Sequence, residues 1–268
     1  MSDRLGVEIE LEGVGENDAR LKPYKYWQVK EDGSLRDGGI EYVFNIPHPY
    51  TTAIKALDEL YERLDKVRFN ISCRTGTHVH VDARDLNVKA LRVLCFIYAA
   101  FERELFNWVG DGRHQNMYCL PWYAAQGDIP NICTAVMGIS TKNSDVISQA
   151  RYLHRYSALN LQALNKFGSI EFRHLLSTKN KARIVEWINL IVAMRAFARD
   201  NQDLDLSKTI VDIIALNNKN ELKEKVFGNY ANLLTVNEEP DANVFAVLQN
   251  LVASAHPPAF TLAKLKLI

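Results

Sequence analysis

Residues 5–12, Leu-Gly-Val-Glu-Ile-Glu-Leu-Glu, alternate between apolar and acidic positions, the period-2 pattern of a half-buried strand. In such a strand Val7, Ile9 and Leu11 face one way and Glu8, Glu10 and Glu12 the other, with successive glutamates roughly 6.5–7 Å apart. Further strands are expected at 26–31 and at 40–46 (Ile-Glu-Tyr-Val-Phe-Asn-Ile), separated by the turn signals Asp32-Gly33-Ser34 and Asp37-Gly38-Gly39. A helix from Thr51 to Leu64 follows, with Pro49 ahead of it and Thr51 or Thr52 as N-cap. The pattern then predicts strands near 67–72 and at 77–82. In the second of these, His78 and His80 share a face, Asp82 continues their line, and Val79 and Val81 oppose them.

The middle of the chain turns helical. Leu91, Leu94, Cys95, Tyr98, Phe101, Glu102 and Leu105 recur at helical spacing over 87–107, after Asn87 as cap. Residues 110–143, rich in aromatics with Pro121, Pro130 and several glycines, read as an irregular loop or lid. The stretch 151–160 reads as helical, which would put Arg151 and Arg155 on one face. A strand at 167–175 places Glu171 and Arg173 opposite Ile170 and Phe172. A helix at 179–199 carries Ile184, Trp187, Ile188, Ile191, Val192 and Arg195 in register. The tail from 205 is mostly helical and ends in an extended Pro257-Pro258 segment. No repeat or low-complexity linker divides the chain, so the expected architecture is α+β, one domain with a helical C-terminal extension.

Composition alters this picture little. The 268 residues are 47% hydrophobic and carry 32 basic against 32 acidic side chains, a balance that gives a general nucleic-acid-binding surface no support. Cys73, Cys95, Cys119 and Cys133 lack zinc-site spacing and read as thiols of a reducing compartment. With no membrane-length apolar run and no signal-peptide core, a cytoplasmic location is expected.

The chemistry lies in a recurring oddity. Glu8, Glu10 and Glu12, then Glu41, then His78 and His80, then Glu171 and Arg173 each sit among β-branched and aromatic residues of a strand. On one sheet face they would gather about five carboxylates, two imidazoles and a guanidinium. Carboxylates so crowded repel unless cations lie between them, and Mg²⁺ or Mn²⁺ suits oxygen donors better than zinc does.

In this order the motifs resemble the amidoligase family, within the carboxylate–amine ligase group that includes glutamine synthetase and glutamate–cysteine ligase. The matching stretches are Gly6-Val7-Glu8-Ile9-Glu10, Trp27 with Asp32-Gly33-Ser34-Leu35, Gly39-Ile40-Glu41-Tyr42-Val43 and Gly76-Thr77-His78-Val79-His80-Val81-Asp82. Arg151-Tyr152 or Arg155-Tyr156 ahead of Leu159-Asn160-Leu161 and Ile170-Glu171-Phe172-Arg173-His174 complete them. Two stretches depart from the family pattern. Cys73-Arg74-Thr75-Gly76-Thr77 replaces a tighter turn before the histidines, and Phe44-Asn45-Ile46-Pro47 stands where Ser-Pro is usual.

The resemblance implies a glutamine-synthetase-like catalytic domain over 1–203. It would have a curved, mostly antiparallel sheet with a charged active face and helices on the other face; residues 204–268 would form the extension. It implies an ATP- and Mg-dependent (or Mn-dependent) ligase that joins a carboxylate to an amine through an acyl phosphate. Glu8, Glu10, Glu41, Glu171 and His80 would ligate metal. His80, with His78, would contact metal or the nucleotide's phosphate; Arg151, Arg155 and Asn160 would bind nucleotide or the carboxylate substrate, with Arg113 a looser candidate. Arg173 and Glu171 would be catalytic, and Asp32 would orient or deprotonate the amine. The partners implied are small-molecule or peptide carboxylates and amines, and a homo-oligomer is compatible with the ring assemblies of glutamine synthetase. From the residues alone two other classes stay open: a metal-dependent hydrolase or oxygenase built on His78, His80 and a carboxylate, and a non-catalytic binding module.

Overall fold

The alternation of the first segment is realised in strand β1 (Arg4–Leu11), whose Leu5, Val7, Ile9 and Leu11 are fully buried. The structure, a computed structural model, describes residues 4–14, 24–110, 112–125, 127–138, 142–215, 218–237 and 241–255. Six further strands join β1: β2 (Trp27–Glu31), β3 (Ile40–Phe44), β4 (His48–Pro49), β5 (Gly76–Asp82), β6 (Leu159–Asn160) and β7 (Ser169–Leu176). The order is β2-β3-β1-β5-β7-β6, with β4 paired to the start of β1, and every ladder is antiparallel. The result is a mixed α/β protein on an open antiparallel sheet.

One face of the sheet is apolar, and α1 (Tyr50–Leu64), α2 (Val88–Val109) and a later helix lie against its strands. Short helices α3 (Ile129–Ile132), α4 (Asn143–Ala150) and α5 (Ala163–Phe167) lead to α6 (Lys181–Asp200), which packs along α2. Trp108 of α2 stacks on Trp187 of α6 at 5.7 Å, and Trp187 meets Phe172 of β7 edge-on. Fully buried side chains such as Trp187 and Phe172 each contribute roughly 1.5–3 kcal/mol. The later helices α7 (Leu206–Ala215), α8 (Lys219–Phe227) and α9 (Ala242–Ala255) share this core: Phe227 packs on Phe101 at 5.2 Å. Lys219 Nζ meets Glu104 of α2 at 2.6 Å, with Glu104 only 1% exposed. Removing Lys219 would strand the buried Glu104 charge, a loss of about 3–5 kcal/mol. Among the described residues, no helix is long and apolar enough to cross a membrane.

Several sequence expectations are corrected here. Residues 67–72 form no strand; Asn70 alone pairs, in an isolated bridge with Glu12. Residues 151–158 are turns rather than helix, and β6 follows them, so Arg151 and Arg155 share no helical face. The stretch 110–143 is not one loop: it holds a 3₁₀ turn at Arg113–Gln115, α3 with Pro130 in its first turn, and a π-helical turn at Cys133–Met137. Helix α1 begins at Tyr50 after Pro49, without a capping hydrogen bond, so Thr51 and Thr52 lie inside its first turn. Asn87 caps α2 as expected, its side chain accepting from Ala90 N at 2.9 Å. Pro257 and Pro258 lie outside the described residues.

Candidate functional site

Strand register decides which of the polar residues meet. Glu10 lies opposite Glu41 and Glu8 opposite His78, while His80 lies opposite Glu171, and Glu171 opposite Asn160. Directly paired residues project to the same side of a sheet. The face turned away from the helices therefore carries Glu41, Glu10, Glu8, His78, His80, Glu171 and Asn160 in neighbouring rows. Arg173 follows Glu171 at the next position but one, beside a register shift between Thr77 and Val79 that skews β5 against β7.

These side chains converge. Donor atoms of Glu8, His78 and Glu171 lie within 4.8 Å of one another, and so do those of Glu10, Glu41 and His78. His78 belongs to both sets: its Nδ1 is 3.3 Å from Glu8 and 3.5 Å from Glu171, and its Nε2 is 3.9 Å from Glu10. His80 Nε2 lies 3.5 Å from Glu8, and its Nδ1 lies 3.1 Å from Ser169 Oγ. At about 5 Å and an effective dielectric of about 20, two carboxylates repel by about 3 kcal/mol, worth roughly two pKa units. Burial together with Glu8, Glu10 and Asp32 pushes Glu41 up to about 8. Burial acts the same way on Glu8, but hydrogen bonds from His78 and His80 prevail and hold it well below the usual carboxylate range. Glu171 is likewise held low against its burial by Arg173, His80 and His78. The donor set, oxygens with one or two imidazole nitrogens and no thiolate, fits a hard divalent cation.

Space is kept open where the groups crowd. A Cβ on Gly76 would fall 2.7 Å from His78 Nε2, 2.8 Å from Arg113 Nη2 and 3.2 Å from Glu10 Oε2. Gly76 N instead donates to Glu10 at 2.6 Å. Buried Arg113 donates to the carbonyls of Cys73 (3.3 Å) and Arg173 (3.1 Å), so it borders the site as a clamp on its backbone. Arg173 is ion-paired with Glu171 through Nη1 and donates from Nε to Tyr118 O at 3.0 Å; among the described residues its Nη2 has no protein acceptor. The Asn160 amide donates to Glu171 Oε2 at 2.6 Å and so orients that carboxylate.

Other sequence candidates sit farther off. Asp32 accepts from Ser34 N at 2.7 Å in its turn and reaches the site through its charge on Glu41. Arg151 and Arg155 are exposed and lie over the rings of Tyr152 and Tyr156, without bonds to the cluster. Asp82 is bound by Arg84 at 2.6 and 2.8 Å. Glu12, expected on the face, leaves it where β1 ends before Gly13 (φ +68°); its carboxylate accepts from Arg36 N (2.8 Å) and Arg74 Nε (2.9 Å) and ties two loops together.

Beside Glu8 and His80 opens a pocket of about 270 Å³. Gly6 and Val43 line it, exposed Ile46 and Phe167 border it, Arg4 and Lys30 bring positive charge, and the Arg84–Asp82 ion pair lies on its wall. Phe167 stands edge-on to His80 at 5.8 Å. Gly6, Val43 and Ile46 belong to stretches the sequence singles out, whereas Arg4, Lys30, Arg84 and Phe167 carry no periodic or motif signal. Glu102 was also passed over, although a glutamate in the apolar stripe of a helix is a signal: it is 1% exposed and accepts from Trp122 N and Tyr123 N.

A search of curated proteins finds no match to this chain. A scan against family models matches residues 30–195 to the family described as "Putative amidoligase enzyme", and this supports a ligase. The matched span contains Glu41, His78, His80, Asn160, Glu171 and Arg173, while Glu8 and Glu10 precede it and reach the same face through the β1 ladders. With more than half of its length matched, and with Glu41, His78, His80, Asn160, Glu171 and Arg173 of the charged face inside that match, the chain belongs to the amidoligase family.

Proposed function

We propose that this protein is an ATP-dependent carboxylate–amine ligase requiring Mg²⁺ or Mn²⁺, with a glutamine-synthetase-like catalytic domain over 1–203 and a helical extension over 204–268. The observation that carries the reading is the pair of overlapping donor sets, Glu8/His78/Glu171 and Glu10/Glu41/His78, with Arg173 beside them. Divalent cations held there would offset phosphate charge. In the reaction, a substrate carboxylate oxygen attacks the γ-phosphorus of ATP, and the bond to the bridging oxygen breaks to release ADP. The amine nitrogen then attacks the acyl-phosphate carbon; the C–O bond breaks, phosphate leaves, and the amine gives up a proton.

The chain's own groups divide this work. Arg173 directs Nη2 toward the transferring phosphoryl group, where a guanidinium suits phosphate oxygens. Asn160 and Arg173 hold Glu171 in place. His80 and the pocket beside it, with apolar Ile46 and Phe167 and cationic Arg4 and Lys30, suit a nucleotide whose base is apolar-faced and whose phosphates are anionic. Asp32, whose charge reaches the cation ligand Glu41, suits an approaching ammonium and can take its proton. The partners are small-molecule or peptide carboxylates and amines.

The test is a phosphate-release screen with Mg²⁺-ATP, crossing carboxylates against amino acids, polyamines and ammonia. Substrate-dependent ADP formation is expected for at least one pair. A protein that binds no Mg²⁺-nucleotide refutes the reading.

A further inference from the structure

Arg173 is held by a segment that is itself anchored on the far side of the sheet. Its Nε donates to the carbonyl of Tyr118 at 3.0 Å, which sets the plane of the guanidinium and the direction of Nη2. From Tyr118 the chain runs through Leu120, which exchanges backbone hydrogen bonds with Tyr156 and Ala158 at 2.8 Å each, to Trp122 and Tyr123. There the N–H groups of Trp122 and Tyr123 point to one carboxylate, Glu102 of α2, at 2.7 and 3.0 Å. The Tyr98 hydroxyl also donates to Glu102, and its oxygen lies 3.0 Å from His174 Nε2. Since the Tyr98 proton goes to Glu102, His174 donates from Nε2, leaving Nδ1 bare; that atom is indeed buried without a partner. His174 is the residue after Arg173 and points from β7 into the core, between Phe106 and Trp187.

We propose that Glu102 is a positioning residue for Arg173. Three donors converge on a carboxylate that is 1% exposed, and two of them are backbone groups of the strap 118–123 that grips the arginine. Buried backbone N–H groups need acceptors, and a carboxylate can accept from all three donors where an amide offers one oxygen. Glu102 thus fixes the strap at one end, Arg173 is read off its other end, and Tyr98 and His174 tie the same carboxylate to the neighbouring position of β7. The inference rests on the ligase reading only for what Arg173 does once placed.

The test combines Glu102→Gln, Arg173→Lys and the double variant in the full chain. The Nε–H signal of Arg173, assigned by its loss in Arg173→Lys, reports the grip by its rate of solvent exchange. Glu102→Gln should speed that exchange at least about tenfold. It should lower kcat for ADP formation about tenfold or more while Mg²⁺-ATP affinity stays within about threefold. In the Arg173→Lys background it should cost less than about threefold more. Unchanged exchange in a folded Glu102→Gln, or a loss that multiplies fully with that of Arg173→Lys, overturns the proposal. If Glu102→Gln does not fold, Tyr98→Phe removes one of the three donors and is judged by the same readouts. A wild-type protein that makes no ADP with any substrate pair refutes the ligase reading, and the exchange rates still decide the role of Glu102.

Discussion

Glu8 and Glu41 lie on adjacent strands of the same sheet face, yet their surroundings treat a negative charge in opposite ways. Glu8 has two imidazoles against it and Glu171 beyond them is paired with Arg173, so that end of the face is electrically compensated. Glu41 has Glu8, Glu10 and Asp32 for neighbours, with Lys30 as a weaker counterweight, and takes up a proton near pH 8. One end thus holds its carboxylates ready; the other withholds one until a cation displaces the proton. Burial raises both carboxylates, and strand register sets which of them is compensated, pairing Glu10 with Glu41 but Glu8 with His78.

The largest expected effect is at the compensated end. Glu8→Ala or Glu171→Ala should abolish substrate-dependent ADP formation, by about 10³-fold or more, with circular dichroism unchanged; a folded variant of full activity removes that residue from the mechanism. Arg173→Lys keeps the charge but loses the fork, and kcat should fall on the order of 10²-fold. Asn160→Asp converts the compensated end toward the other, placing a second carboxylate 2.6 Å from where the amide now donates to Glu171. Activity at pH 7 should drop about tenfold and recover partly as Mg²⁺ is raised; a drop indifferent to Mg²⁺ would contradict this.

The acidic end makes a pH prediction. Glu41 must lose its proton to bind a cation, so Mg²⁺ or Mn²⁺ affinity should rise from pH 6 to about 8, by up to about tenfold per unit, and level off above. Without a cation the same group makes stability fall as pH rises from its unfolded value near 4.3 toward 8, since the folded state then binds the extra proton. Glu8, held low, has the reverse sign: its contribution is present above that unfolded value and is lost on acidification. Glu41→Gln should therefore flatten the titration of cation affinity and stabilise the cation-free protein at pH 8, which thermal unfolding measures. The smallest effect is expected for Glu12→Gln, which loosens two loops off the face. A fall of about 2–4 °C in Tm with unchanged cation affinity is anticipated, and a changed affinity would return Glu12 to the site.

Much of this comparison is legible in the chain. Period-2 alternation locates β1, β3, β5 and β7 and puts the right glutamates and histidines on one face, because a strand's side chains have no other choice. Register across strands is not written in any one of them, so the division into a compensated and an uncompensated end appears only in three dimensions. Glu12 keeps the alternation but not the position, since Gly13 turns the chain away. Arg151 and Arg155 share helical spacing without the apolar stripe that would bury a helix, and the segment serves as the turns leading into β6. Pro130 suggested a loop but sits in the first turn of α3, where its missing N–H costs nothing. Glu102 carries the opposite lesson: helical spacing places it in an apolar stripe, while two of its three donors come from a segment with no periodicity.

The β5–β7 ladder joins His80 to Glu171, and loop closure over so long a span is a slow step in folding. Glu8, Glu10 and Glu41 lie within the first 44 residues and can assemble as β1 and β3 pair, whereas Glu171 and Arg173 arrive only with β7. In synthesis Glu8, Glu10 and Glu41 are therefore made well before Arg173. Free divalent cations at that stage should speed folding, by screening the early strands until the arginine is in place.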